Sequence, residues 1–311
     1  MRGAGRLARV GRDGVRLVAA GLERLTPRWP HLGLAALGAL GAASARDPGA
    51  RKTPSAAQLV ELFGPLPPER VRAVRGEIAA TGHRNHGLRR LVAARGLGAA
   101  LPLVERIEAE PLLRLRAAGT PVVVAGWHQG PLRSVELALH RLGVPCLVAI
   151  AEHGPTAELG PVRERRVGGG LGDAAFLKEA LETLAAGGVV VAHLDWRAGH
   201  GRAVTLLGRP IHVARGAASL ARIAGARLVP VTRAFRGTSS GIDVAFHEPL
   251  PEPAVPRSDA AAFEQALLED VVAWFDAELR RQPGTLRNDR LRRLLGTAGA
   301  SEAWCPGSEI R

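Results

Sequence analysis

Apolar positions change their spacing near residue 120. From there onward, short apolar runs alternate with segments of helical period. The runs are PVVVAGW (121–127), VPCLVAIA (144–151), VVVAHLD (189–195) and ARLVPVTRAF (226–235). Between them, RSVELALHRLG (133–143) is a helical pattern ending at Gly143. DAAFLKEALETLAAGG (173–188) predicts a helix with Asp173 at its N-cap, and VARGAASLARIAG (213–225) predicts another. Runs of this length alternating with helices predict βαβ units and a mostly parallel sheet. IDVAFHEPL (242–250) is a further strand closed by Pro249, and ALLEDVVAWFDAELRRQPG (266–284) is an amphipathic helix near the end. Before 120 the pattern differs. Residues 59–118 are rich in Arg, Ala and Leu without strand-like runs, and predict helices around 70–82 and 98–119.

The expected fold class is therefore α/β, a mostly parallel central sheet flanked by helices, with a helical membrane-associated segment at the N-terminus. Residues 29–45, WPHLGLAALGALGAASA, contain no Asp, Glu, Lys or Arg. Seventeen residues only reach the lower limit of about 17–25 for a spanning helix. Two readings stay open: a buried or interfacial helix, or an anchor held at the membrane by flanking arginines. RDPGARKTPSAAQ (46–58) reads as a linker. The expected organisation is a basic N-terminal segment and linker (1–58), an α/β domain (59–295) and a tail (296–311).

Charge adds one piece. The formal net charge is +13, and residues 1–60 hold ten Arg or Lys against three Asp or Glu. Such a basic end is drawn to nucleic acid or to anionic lipid head groups. Aromatics are only 4% and no DNA-reading helix or base-stacking motif is present, so an anionic membrane surface is the expected partner and nucleic acid is not. Cys146 and Cys305 lie far apart with no metal-like spacing, and no metal site or cofactor is expected.

Two polar residues stand out by position. His128 follows the first apolar run and Asp195 follows the third. Sites in open α/β sheets form at the carboxyl ends of strands, so parallel strands would bring both to one rim. His128 precedes an expected helix start at Pro131, where it either acts as a general base or lines a loop. A histidine base needs a partner that fixes its tautomer. Arg133 occupies the first turns of the same helix, where a carboxylate would serve; Glu136 reaches back to the ring or pairs with Arg133. RERRVGGGLGD (163–173) offers Arg163, Arg165 and Arg166 before a helix, which suits a phosphate or a plain surface loop. LDWRAGHGR (194–202) adds Arg197, His200 and Arg202 beside Asp195, and GTSSG (237–241) reads as a turn.

The order of these motifs resembles the lipid A lauroyl/myristoyl acyltransferase type of the lysophospholipid acyltransferase superfamily, over about residues 70–295. AAGTPVVVAGWHQGPLRSVEL is similar to that family's strand, histidine, four residues and acid. LKEALETLAAGGVVVAHLDWRAGHGRAVTLLGRPIHVARGAASLARIAGARLVPV is similar to its second block, and RRQPGTLRNDRLRRLL to its basic C-terminus. The resemblance implies a membrane-anchored O-acyltransferase at the cytoplasmic face of a bacterial inner membrane. It would move a fatty acyl group from an acyl carrier protein or coenzyme A thioester to a lipid or glycolipid hydroxyl. His128 would be the base, supported by Glu136 or Asp195, and Arg133, Arg165, Arg166 and Arg197 would hold anionic groups of the substrates. Arg133 departs from the pattern, standing where the family has its acid, and Trp196 stands where it commonly has glutamine. A catalytically impaired, lipid-binding member of the same fold is the alternative.

Overall fold

The computed structural model describes residues 2–45, 53–151, 159–167, 171–195, 201–287, 291 and 294–296. Four helices come first: α1 (Arg2–Leu25), α2 (Pro30–Ser44), α3 (Ala56–Phe63) and α4 (Pro68–Arg95). The αβ part follows with β1 (Val104–Glu108), α5 (Glu110–Ala117), β2 (Val122–Gly126), α6 (Ser134–Arg141), β3 (Cys146–Ala151) and β4 (Val162–Val167). It continues with α7 (Leu171–Ala185), β5 (Val189–His193), β6 (Arg202–Leu206), β7 (Arg209–Val213) and α8 (Gly216–Ala224). It closes with β8 (Arg227–Phe235), β9 (Ile242–Phe246) and α9 (Ala260–Arg281).

Seven strands form one sheet in the order β1-β9-β8-β2-β5-β3-β4, and only the β8–β9 pairing is antiparallel. The architecture is thus α/β with a mostly parallel central sheet flanked by helices. The unbroken valines of the central strands have a direct cause: both sheet faces are covered, so neither side of a strand can be polar. Val123 and Ala125 of β2, with Val190 and Ala192 of β5, face a cluster built with α8 and α9 (Leu220, Phe263, Phe275). Val122, Val124, Val189 and Val191 face the other cluster, with Leu88 and Leu91 of α4 and Leu137 of α6.

Three sequence expectations are corrected here, and one element is added. Residues 98–119 are not one helix: a 3-10 turn (Leu97–Leu103), the edge strand β1 and α5 replace it. Pro102 and Pro111 interrupt the helical pattern, and an edge strand with only Val104 fully buried shows little apolar alternation. VRERRV, read as part of a loop, is β4, paired in parallel with β3; its alternation is hidden because the second inward position is Glu164. Residues 202–213 form an antiparallel hairpin, β6–β7, which was not foreseen. Asp173 lies inside the first turn of α7, which begins at Leu171, so it is not the N-cap.

The N-terminal segment folds against the rest. Leu34 and Leu37 of α2 are fully buried, and glycines let α2 approach α4 closely: a Cβ at Gly41 would come within 2.7 Å of the Ala79 carbonyl oxygen. Among the described residues no helix is long and apolar enough to cross a membrane. The linker ends before 58, because Ser55 caps α3 through a reciprocal box: its side chain accepts from Gln58 N (3.2 Å) while its own N–H donates to Gln58 Oε1 (2.9 Å).

Candidate active site

β2 and β5 are neighbours in register, with Gly126 opposite His193. The residue two places beyond each of these positions therefore reaches the same carboxyl edge, and these two residues are His128 and Asp195. His128 Nδ1 lies 2.7 Å from Asp195 Oδ1, and the same oxygen accepts the His128 backbone N–H at 3.0 Å. Both side chains are more than nine-tenths buried. An ionised carboxylate only accepts, so the ring donates from Nδ1 and its lone pair stays on Nε2. That is the tautomer a general base requires. The His193 ring stands 4.3 Å from the His128 ring, centroid to centroid. Glycine at 126 makes this possible, because a Cβ there would lie 2.6 Å from His193 Nδ1.

The turn that carries His128 is fastened from several directions. Asn85 of α4 donates to the Gly130 carbonyl (2.9 Å) and accepts from Leu132 N (3.0 Å). Arg233 of β8 donates to the carbonyls of Gln129 (2.9 Å) and Trp127 (3.0 Å). Gly130 N–H donates to the Thr285 carbonyl at 2.9 Å, and Gln129 bridges Leu286. Gly130 is in the left-handed region at φ 58°, and any Cβ there would collide with the Arg233 carbonyl. Burial pushes the Arg233 guanidinium down from its ordinary value, while the carboxylates of Glu136 and Asp195 pull it back up. It keeps its charge, as guanidinium groups in proteins do.

Helix α6 begins at Ser134, not at Pro131 as the sequence reading had it. Residues 127–133 instead form the turn, closed by Arg133 in the left-handed conformation at φ 64°. This twist delivers the Arg133 side chain to two buried carboxylates, Glu164 of β4 and Glu136 of α6, the latter at 3.6 Å. Glu136 is thus engaged by Arg133, and Asp195 is the carboxylate on the ring. Residue 133 thus supplies the cation of an ion-pair cluster separate from the His128–Asp195 pair.

The remaining substrate-binding candidates distribute differently. Arg165 is exposed and pairs with Glu179 at 2.5 Å, sharing it with Arg163. Arg166 is exposed on the same edge strand. Two strands, β3 and β5, separate β4 from β2 in the sheet. Arg197, with Trp196 and His200, lies outside the described residues. Among the described residues no group of three His, Cys, Asp or Glu side chains is arranged to hold a metal ion. Sequence reasoning missed Asn85, Arg233 and the 285–286 segment. The signal for Arg233 was a lone charge within the apolar run VPVTRAF.

Compared with protein-family models and with curated proteins, the chain has no match.

Proposed function

We propose that the protein is an O-acyltransferase, moving a fatty acyl group from an acyl carrier protein or coenzyme A thioester to a hydroxyl of a lipid or glycolipid acceptor. The observation that supports it is the buried pair in which His128 Nδ1 meets Asp195 at 2.7 Å. Nε2 of His128 takes the acceptor's hydroxyl proton as its oxygen attacks the thioester carbonyl. Asp195 stabilises the imidazolium formed in that step. The tetrahedral adduct then breaks its C–S bond, and the imidazolium returns the proton to the leaving thiolate. No covalent acyl-enzyme is required.

The site of action in this reading is an anionic membrane surface, the cytoplasmic face of a bacterial inner membrane. What supports it is a set of exposed apolar side chains along the last turns of α1 and at the start of α2: Leu17, Val18, Leu25, Trp29 and Leu32, with Arg28 stacked over Trp29 at 5.6 Å. Apolar groups rimmed by arginines suit the boundary between head groups and acyl chains. The alternative is a catalytically impaired lipid-binding protein, since Arg133 stands where an acid would serve; against it stands Asp195, whose carboxylate meets the ring at 2.7 Å.

The test is acyl transfer from a labelled fatty acyl thioester, on both carriers, to a membrane lipid extract. Transfer by the wild type that disappears in His128→Ala is expected. No transfer by the wild type with donors of several lengths, or equal transfer by both proteins, would overturn the reading.

A further inference from the structure

Arg233 is an expensive residue to place where it is. Its side chain is buried inside the sheet on β8, the strand beside β2, and no carboxylate lies within ion-pair distance of it in the described structure. Burying a guanidinium without a direct partner costs several kcal/mol, of order, even after relaxation. Its hydrogen bonds go to two backbone carbonyls on either side of one residue: Trp127 and Gln129, which flank His128. A planar fork satisfies two acceptors at once and fixes their relative orientation, whereas an ammonium is a point donor on a flexible stem. On the far side of the same turn, Gly130 has lost its Cβ to make room for the Arg233 backbone carbonyl. Side chain and main chain of one residue thus meet three positions of the turn, Trp127, Gln129 and Gly130, on both sides of His128.

We propose that Arg233 is a positioning residue for His128: its guanidinium clamps the Trp127 and Gln129 carbonyls and so holds the His128 ring and backbone N–H on Asp195. Because Asp195 Oδ1 receives both the ring and the backbone N–H of His128, a rotation of the peptide units on either side separates both bonds together. Arg233 does not touch substrate in this proposal. It sets the direction in which Nε2 presents its lone pair, and it rests on the acyltransferase reading only for the kinetic half of its test.

The spectroscopic half needs no activity. Trp127–His128 is the only Trp–His step in the sequence, so carbonyl-¹³C-tryptophan with ¹⁵N-histidine labelling isolates one amide, that of His128. In the intact chain this amide is expected to be protected from hydrogen exchange by Asp195. In Arg233→Met and Arg233→Lys the protection is expected to be lost, with kcat down roughly 100-fold, as expected for misplaced reacting groups, and KM little changed. Arg233→Lys keeps the buried charge, so it separates the fork from the charge and serves if the methionine variant does not fold. Wild-type kcat and wild-type protection in Arg233→Lys would overturn the proposal. So would a His128 amide that exchanges as fast as a free loop in the unaltered chain. Protection lost in the variants, with no acyl transfer by the wild type, would leave the clamp standing and remove the acyltransferase reading instead.

Discussion

Replacing Asp195 by Asn separates the two carboxylates that competed for His128. The substitution keeps the shape and one acceptor oxygen, so the turn retains an acceptor for the His128 N–H now bonded at 3.0 Å. What disappears is the negative charge facing the ring at 2.7 Å. A hydrogen bond to a charged group contributes about 1.5–3 kcal/mol against about 0.5–1.5 for a neutral one, and the midpoints differ by about 1.3 kcal/mol, a loss of about tenfold in rate. Unit charges about 4 Å apart at an effective dielectric of about 20 interact by about 4 kcal/mol, which sets the upper end near a thousandfold. The expected result is kcat reduced by about ten- to a thousandfold in Asp195→Asn, with KM within a few-fold. Glu136→Gln is expected to lose less than about tenfold, because Glu136 faces Arg133 at 3.6 Å and acts on the ring only at a distance. The assay is the thioester-to-lipid transfer above, run on both variants at saturating donor. Equal losses in the two, or a larger loss in Glu136→Gln, would refute the assignment of Asp195 as the base's partner.

Arg133→Glu would place a third carboxylate beside buried Glu136 and Glu164, and is expected to cost about 3–5 kcal/mol in denaturant unfolding and to raise no activity. Cutting the chain after Gln282 removes the Thr285 carbonyl and buried Leu286, and is expected to abolish transfer while far-UV circular dichroism changes little. Leu17→Ser with Trp29→Ser should weaken sedimentation with anionic vesicles and leave Tm unchanged, since both side chains are exposed; equal vesicle binding would refute the proposed membrane face. His247 is held below its ordinary value chiefly by burial, against Thr232 and Trp274. Its unfolded form takes up a proton first, below about pH 6.5, so its share of stability is complete above that pH and fades as pH falls. Tm measured against pH is therefore expected to fall less steeply toward pH 5 in His247→Gln than in the wild type.

The central strands were legible because burial on both faces leaves a continuous apolar run in β2, β3 and β5 and in the first half of β8, while β9 shows the alternation of a strand with one face half-exposed. The edge strands were not. β1 and β4 each meet the core with few side chains, and VERIE or VRERRV reads equally as loop or helix until a neighbour is known. The meeting of His128 with Asp195 followed from strand ends and parallel pairing alone. The whereabouts of Arg133 did not, because its left-handed backbone reverses the direction that a helix starting at Pro131 would have given it. Asn85 and Arg233 act on backbone carbonyls and an amide, and such partners leave no pattern in a sequence.

The bond from Gly130 to Thr285, with Leu286 beside Gln129, also fixes the order in which this site can come into being. Synthesis runs from the N-terminus, so α4, the His128 turn, Asp195 and Arg233 all leave the ribosome before the segment that closes over them. A contact joining residue 130 to residue 285 has high sequence separation and forms late in folding. While residues 196–285 are being made, a nascent chain would thus carry its histidine and aspartate without the final backbone support. The His128 turn acquires its full backbone support only once the 285–286 segment has been made, and a chain interrupted before it lacks that support.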